Sequence, residues 1–353
     1  MYGVIIAGGN GERFWPHSRS HKPKQFLKMV GKITMLRATF NRIVKIVPVE
    51  NIIVVTNKLL LKLVQEQLPE LNEKNILIEP KSRNTAPAIA LAALYINEID
   101  PGATMAIFPA DHVIKNQEKF RQALRHARKL AERTDGLVTI GITPERPETG
   151  YGYIQVNFSK EVQGGYRVKT FAEKPTIGTA KRFIESGDFF WNSGMFIWRS
   201  SVILREMEEN IPELYQPLAI LKGQFKTKNF STKLKKAFSA IKSTSIDYAV
   251  MEVSKNVYMV KGEFEWNDLG SWDALYELSS KNKDGNSIEG NVSAIDTKNS
   301  LIKTTGKYVA TIGLEEMIVI ATDDVVLIAP RERAQEIKDL VESLKKSSNK
   351  KYL

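Results

Sequence analysis

The residues best suited to hold a charged ligand lie in segment 7–26, AGGNGERFWPHSRSHKPKQF. Three glycines follow directly on a short apolar run: Gly8, Gly9 and Gly11. Glycines let a backbone come close to phosphate groups, and backbone N–H groups beside cations form anion-binding concavities. Residues 10–32 carry six lysine or arginine side chains and a single carboxylate, Glu12. The segment therefore predicts a phosphate-binding loop after a strand.

Two familiar phosphate loops are excluded by the spacing. Phe14 stands where the dinucleotide-binding fingerprint needs its third glycine, and no Gly-Lys-Ser or Gly-Lys-Thr follows, as a Walker A loop would require. A solvated basic turn is the simpler alternative. It is disfavoured because so many cations, glycines and prolines in one loop are costly without a ligand.

The composition excludes several classes of catalytic and metal-binding site. The 353 residues include no cysteine, which excludes disulfide scaffolds, thiolate-bound metals and thiol nucleophiles. The four histidines do not pair at metal-ligand spacing. No apolar run approaches the ~20 residues of a membrane helix, and the first residues lack the basic region of a signal peptide. We expect a cytoplasmic protein with no membrane partner.

The net charge of +11 indicates a polyanionic partner. Nucleic-acid-binding proteins spread their cations along a stripe with exposed aromatic side chains. Here the excess is concentrated in one glycine-rich loop. We therefore expect the polyanionic partner to be a phosphorylated small molecule and not a nucleic acid.

The elements that must position this loop alternate along the first 150 residues. Apolar runs are separated by amphipathic, helix-like segments, which is typical of a parallel sheet covered on both faces. The runs are Val4–Ala7, Ile52–Thr56, Ile76–Glu79, Thr104–Pro109 and Leu137–Ile142. Beyond Gly150 the runs alternate like antiparallel strands. The pattern predicts an α/β fold with a mixed, mainly parallel sheet.

A polar stretch at 281–291, KNKDGNSIEGN, predicts a domain boundary after residue 280. Residues 281–330 then form a small β domain of short strands, and 331–353 a helix with a basic tail. The helix carries an apolar stripe of Ile337, Leu340, Val341 and Leu344. That stripe must pack on its own β domain or on a neighbouring subunit.

The glycine loop resembles the signature of the sugar-nucleotide pyrophosphorylases, and FWPHSR…PKQF resembles their mannose-1-phosphate guanylyltransferase branch. Further segments resemble the same branch, in its order, from residue 3 to about residue 280. They are EPKSRNTAPA (79–88), FPADH (108–112), TGYGYI (149–154), FAEKP (171–175), WNSGMFIW (191–198) and EWNDLGSWDAL (265–275).

The resemblance implies a Rossmann-like, GT-A-like nucleotidyltransferase domain over 1–280 and a C-terminal domain of the left-handed β-helix type. It also favours a homodimer or a higher homo-oligomer. The implied reaction transfers GMP from GTP to α-D-mannose 1-phosphate and gives GDP-mannose and pyrophosphate. The alternative is another sugar-1-phosphate nucleotidyltransferase, such as one that joins glucose 1-phosphate to UTP or dTTP.

Such a reaction needs no general base, because a phosphate monoester is largely dianionic at neutral pH. It needs cations, a divalent metal and backbone donors. The resemblance assigns catalysis to Arg13 and Lys24 and places Gly8, Gly9 and Gly11 along the nucleotide. It assigns the sugar phosphate to Gly152, Glu173, Lys174 and Asn192.

Asp111 and Asp268 are the candidate ligands of Mg²⁺ or another divalent cation. Magnesium prefers one or two carboxylates completed by substrate phosphates, and Asp111 follows an apolar strand, where open α/β sheets bind ligands. Guanine presents N–H donors along one edge, which a carboxylate can accept. Glu79 ends a strand and is the candidate base-reading residue, with contributions from Arg83, Asn84 and Thr85.

Overall fold

The computed structural model describes residues 1–9 and 11–353. They form two compact units, each assembled from several stretches of sequence. The first unit comprises 1–8, 39–110 and 114–266, and the second comprises 9–38, 111–113 and 267–353.

Ten α-helices are present in the described residues. They are α1 (Met35–Ile43), α2 (Leu61–Gln67), α3 (Thr85–Ile99), α4 (Gln117–Thr134), α5 (Ile177–Ser186), α6 (Ser200–Asn210), α7 (Pro212–Ala219), α8 (Phe230–Ala240), α9 (Trp272–Leu278) and α10 (Ile337–Lys346). None of these helices combines the length and apolar character that crossing a bilayer requires.

The same residues contain seventeen strands. They are β1 (Tyr2–Ile6), β2 (Ile52–Asn57), β3 (Ile76–Glu79), β4 (Thr104–Pro109), β5 (Val113–Ile114), β6 (Leu137–Ile142), β7 (Gly152–Val162), β8 (Gly165–Glu173), β9 (Phe189–Arg199), β10 (Val257–Gly262), β11 (Trp266–Asn267), β12 (Ser287–Glu289), β13 (Val292–Ile295), β14 (Leu301–Thr304), β15 (Val309–Ile312), β16 (Met317–Ala321) and β17 (Val326–Pro330).

The first unit contains a nine-stranded sheet in the order β3-β2-β1-β4-β9-β6-β10-β8-β7. Strands β1 to β4 are mutually parallel where they pair, and β6 pairs parallel with β10. β9 lies antiparallel between β4 and β6, and β8 is antiparallel to both β7 and β10. Only β8 and β9 therefore run against the other seven strands, which confirms the predicted mixed, mainly parallel sheet.

Continuous apolar strands are buried on both faces, as their composition requires. β2 is fully buried over Ile52–Thr56, and helix α3 buries almost every residue of its first three turns. The small alanine side chains of α3 allow close packing in the core around β1 and β2. Helix α4 instead buries one stripe: Phe120, Ala123, Leu124, Ala127, Leu130 and Ala131.

In the second unit, strands β12 to β16 alternate between two sheets, and β17 joins the sheet of β16. One has the order β12-β14-β16-β17 and the other pairs β13 with β15. All pairs are parallel except β16–β17. This coiled arrangement of short parallel strands confirms the predicted small β domain as a β-helix.

The core of the second unit joins that β-helix to segment 9–38 and to helix α10. Phe14, Trp15 and Trp272 are buried in the same cluster as Ile337 and Val341. Leu340, which the sequence analysis included in the helix stripe, is 42% exposed. Adjacent helical residues point about 100° apart, so a face that buries Val341 turns Leu340 towards solvent. The stripe is therefore narrower than predicted.

Candidate functional site

A polar cleft of about 320 Å³ lies within the second unit. It brings together five residues that the sequence analysis selected from three distant segments: Gly11, Arg13, Lys24, Asp111 and Asp268. The remaining lining residues are Glu12, Phe14, His112, Leu269, Gly270 and Lys338. We refer to this cavity as the phosphate cleft, after the phosphate-binding loop that the sequence predicts.

Lys24 links the two aspartate segments of the cleft. Its Nζ lies 2.7 Å from Asp111 Oδ2 and donates a 2.7 Å hydrogen bond to the backbone oxygen of Asp268. Its side chain is only 6% exposed. Burial raises the pKa of Asp111, but the Lys24 ammonium and His112 outweigh this effect, so the pKa lies below its usual value. Asp111 is consequently ionised at neutral pH.

Asp268 belongs to a tight turn with a strained neighbour. Leu269 has φ of 49°, a region that costs a bulky residue roughly 1–3 kcal/mol. The buried Leu269 side chain and a 2.7 Å bond from its N–H to Asn267 Oδ1 hold this conformation. Asp268 Oδ1 is buried and has no hydrogen-bond partner among the described residues. A buried, unpartnered carboxylate oxygen is a ready ligand for a hard cation.

The oxygen donors of the cleft fit magnesium. Asp111 and Asp268 are two carboxylates in a cavity with room for phosphate and water, which is the donor set that Mg²⁺ uses. In residues 1–9 and 11–353, no three or more histidine, cysteine or acidic side chains cluster closely enough to bind a metal ion by themselves. The two aspartates would therefore share the cation with substrate oxygens.

Arg13 lies in the short helical turn Glu12–Phe14 and is half-buried. It makes no hydrogen bond or ion pair within the described part of the chain. Gly11, just before this turn, has φ of 61°, and a Cβ on it would lie 2.7 Å from both the backbone N and the Cβ of Lys24. Glycine at this position thus allows the loop to pack directly on Lys24. Gly9 accepts a 2.8 Å bond from Gln25 Nε2 through its carbonyl.

The four predicted sugar-phosphate residues form a second group, within the first unit. Lys174 Nζ donates a 3.0 Å hydrogen bond to Glu173 Oε2 and has φ of 47°, so this lysine is held in a strained conformation. A Cβ on Gly152 would lie 2.2 Å from Glu173 Oε1 and 3.4 Å from the Cβ of Asn192. The group therefore combines one carboxylate, one ammonium and one amide in a small space.

A fifth member of this group, Asp247, was missed by the sequence analysis. Asn192 Nδ2 donates a 2.7 Å hydrogen bond to Asp247 Oδ1, while Asn192 Oδ1 accepts one from the N–H of Gly194. Burial and the nearby Glu173 carboxylate raise the pKa of Asp247 to about 6, although Asn192 and Lys174 oppose the rise. The sequence offered one signal, an acidic residue directly after the apolar Ile246.

Glu79, the predicted base-reading residue, lies at the end of β3 and is 4% exposed. Its Oε2 would be 3.3 Å from a Cβ on Gly8, so these two predicted residues are neighbours. Oε1 has no partner among the described residues, and burial raises the pKa of Glu79 to about 8. In the free protein this carboxyl is mainly protonated at neutral pH.

The other base candidates are partly used by the fold. Asn84 caps α3 by accepting a 2.8 Å bond from the N–H of Thr85, and the Thr85 hydroxyl accepts a 2.9 Å bond from the N–H of Ile246. Arg83 keeps a buried Nε without a partner among the described residues. Of these three residues, Arg83 retains the most hydrogen-bonding capacity for a ligand.

The profile of the nucleotidyl transferase family matches residues 2–285, and that of the MannoseP isomerase/GMP-like beta-helix domain matches 290–344. A protein of Vibrio cholerae named putative mannose-1-phosphate guanylyltransferase is 40% identical over 99% of this chain and 75% of its own length. The mannose-1-phosphate guanylyltransferase of Escherichia coli K12 is 39% identical over 98% of this chain and 73% of its own length.

Solved structures agree with these matches. A Thermus thermophilus protein named mannose-1-phosphate geranyltransferase superposes with a TM-score of 0.86 at 31% identity, covering 98% of this chain and 99% of that one. A Helicobacter pylori protein named mannose-6-phosphate isomerase gives a TM-score of 0.62 at 29% identity. It covers 75% of this chain and 98% of its own.

Proposed function

Because the chain belongs to the mannose-1-phosphate guanylyltransferase family of nucleotidyltransferases, we propose that it transfers GMP from GTP to α-D-mannose 1-phosphate. The products are GDP-mannose and pyrophosphate. The observation that carries this proposal is the phosphate cleft, where Lys24 joins Asp111 and Asp268 beside the unpaired Arg13.

In the proposed reaction a phosphate oxygen of mannose 1-phosphate attacks the α-phosphorus of GTP. The bond from that phosphorus to the oxygen bridging the α- and β-phosphates breaks, and the electron pair leaves with pyrophosphate. The attacking oxygen already carries negative charge, so the protein's task is to align two anions and to stabilise the leaving group. Arg13 supplies that stabilisation, and Lys24 holds the Asp111 and Asp268 segments in place.

Asp111 and Asp268 would hold the divalent cation, whose chemistry is to neutralise phosphate charge when it is bound. Lys24 keeps Asp111 ionised and fixes the backbone of Asp268, so both carboxylate segments are arranged before substrate arrives. This role explains why Lys24 is buried although it is a lysine.

The residues of the first unit would recognise the sugar and the base. Glu173, Asp247 and Asn192 offer acceptors and a donor for sugar hydroxyls, and Lys174 offers an ammonium for the sugar phosphate. Glu79 would accept the N–H donors of guanine through its unpartnered oxygen.

The decisive experiment measures pyrophosphate release over a grid of nucleoside triphosphates and sugar 1-phosphates. We expect the highest kcat/KM for GTP with mannose 1-phosphate. A higher value for glucose 1-phosphate with UTP or dTTP would replace this assignment with the alternative nucleotidyltransferase activity.

A further inference from the structure

The phosphate cleft contains a cation that belongs to none of the motifs, Lys338 of helix α10. The side chain is exposed, and it makes no hydrogen bond or ion pair within residues 1–9 and 11–353. Glu342, one turn later and the nearest acid along the helix on this face, is bonded to Lys345 at 2.8 Å. Lys338 is therefore free to meet a ligand in the cleft.

Helix α10 is firmly held against the glycine loop, so the position of Lys338 is defined. Ile337 and Val341, on either side of Lys338 in the sequence, are buried in the core that contains Phe14 and Trp15. Trp15 Nε1 donates a 2.7 Å hydrogen bond to the backbone oxygen of Tyr352. The loop and the C-terminal segment thus form one packed structure.

Lys345, on the same face of helix α10, forms an ion pair with the cleft lining. Its Nζ lies 2.6 Å from Oε1 of Glu12, a residue of the cleft lining. Seven residues make almost two full turns, so Lys338 lies on the same face as Lys345, about 10 Å further along the axis. Lys345 thus pairs with the acid of the loop, whereas Lys338 forms no ion pair in the described residues and only contributes at longer range to the lowered pKa of Glu342.

We propose that Lys338 binds the β- and γ-phosphates of the nucleotide, the part that leaves as pyrophosphate. This inference rests on the proposed function. Lys24 is committed to Asp111 and Asp268, so Arg13 is the other cation of the cleft without a protein partner in the described residues. A flexible, exposed ammonium suits the terminal phosphates, which have many equivalent oxygens, better than the α-phosphate, whose geometry must be fixed for attack.

The test measures binding of magnesium pyrophosphate to the full chain by calorimetry. Lys338→Met keeps the apolar stem and removes the charge, and we expect about tenfold weaker binding, as for one lost charge-assisted hydrogen bond. Lys338→Arg keeps the charge and should restore most of the affinity. Lys346→Met, a lysine of the same helix outside the cleft lining, is the matched control.

Unchanged pyrophosphate affinity in Lys338→Met would overturn the proposal, as would an equal loss in Lys346→Met. Loss of affinity that Lys338→Arg restores supports it. Formation of GDP-mannose by the unmodified protein is scored separately. If no GDP-mannose forms while the pyrophosphate result holds, the proposed function is wrong for this protein, but the phosphate-binding role of Lys338 stands.

Discussion

Two cations of the phosphate cleft, Lys24 and Arg13, differ in their burial and in their bonding to the protein. Lys24 is buried and bonded to both aspartate segments, whereas Arg13 is half-buried with no protein partner in the described residues. A guanidinium without an internal partner keeps its five donors for a ligand. We therefore expect Lys24 to arrange the site and Arg13 to bind the negative charge that develops on the substrate in the transition state.

We expect Arg13→Ala to lower kcat and kcat/KM together by ~10²-fold or more, the loss typical of a removed transition-state donor. Steady-state kinetics with GTP and mannose 1-phosphate measures both. Arg205→Ala, an exposed arginine of α6, is the matched control. A change confined to KM would show instead that Arg13 binds substrate and transition state equally.

The two aspartates predict an obligate divalent cation. We expect Asp268→Asn, which keeps the shape and removes the charge, to raise the magnesium concentration for half-maximal activity by about tenfold or more. Asp339→Asn on α10 provides a control for an exposed acid. Full turnover of the unmodified protein in excess EDTA would exclude the metal requirement.

Glu79 predicts proton release when GTP binds. Its pKa of about 8 leaves it mainly protonated at pH 7, and guanine N–H donors favour the ionised form. The pKa must therefore fall on binding, so affinity should rise as pH increases towards about 8. Calorimetry in buffers of different ionisation enthalpy counts the released proton. The same proton release in Glu79→Gln would assign it to another group.

At the scale of elements, the glycine loop depends on its contact with the short turn Lys24–Phe26. Gly11 has a positive φ and lies where a Cβ would contact the Lys24 backbone. A Cβ on Gly9 would meet nothing within 4 Å. Two glycines separated by one residue thus have different structural requirements.

We expect Gly11→Ala to destabilise the protein measurably, because a positive φ alone costs a non-glycine residue roughly 1–2 kcal/mol and the contact with backbone adds to this. Gly9→Ala should leave the melting temperature close to that of the unmodified chain. Thermal unfolding of the two variants makes the comparison. Equal melting temperatures would mean that the loop moves away from Lys24 at little cost.

At the scale of the whole molecule, the predicted catalytic and metal residues belong to the second compact unit, and all the sugar and base candidates belong to the first. The second unit also exposes apolar side chains on the sheet of β13 and β15. Ile295 is 58% exposed and Ile312 is 73% exposed. We take these two neighbouring side chains as the candidate interaction surface.

We expect the full chain to form a homodimer or a higher homo-oligomer through this sheet, measured by light scattering at micromolar concentration. Ile312→Glu should shift the mass towards the monomer without unfolding the protein, because the side chain is exposed. A monomer in the unmodified chain would refute assembly.

The alternation of apolar runs was sufficient to predict the mixed sheet, because a strand buried on both faces must be apolar at every position. The candidate phosphate loop was equally easy to identify, since its glycines and cations are close together in the sequence. The spacing of apolar residues also predicted the C-terminal strands and helix. It did not separate Leu340 from Val341, because which side of a helix is covered depends on its neighbours.

Tertiary structure alone decided the contacts between distant segments. The bond of Lys24 to Asp268, the bond of Asn192 to Asp247 and the place of Lys338 in the cleft join residues 55 to more than 300 positions apart. The conformations of Lys174 and Leu269 are equally non-local, because surrounding packing must hold a strained backbone. Neither periodicity nor composition encodes such pairings, since the cost of closing a long loop is recovered only when the whole core forms.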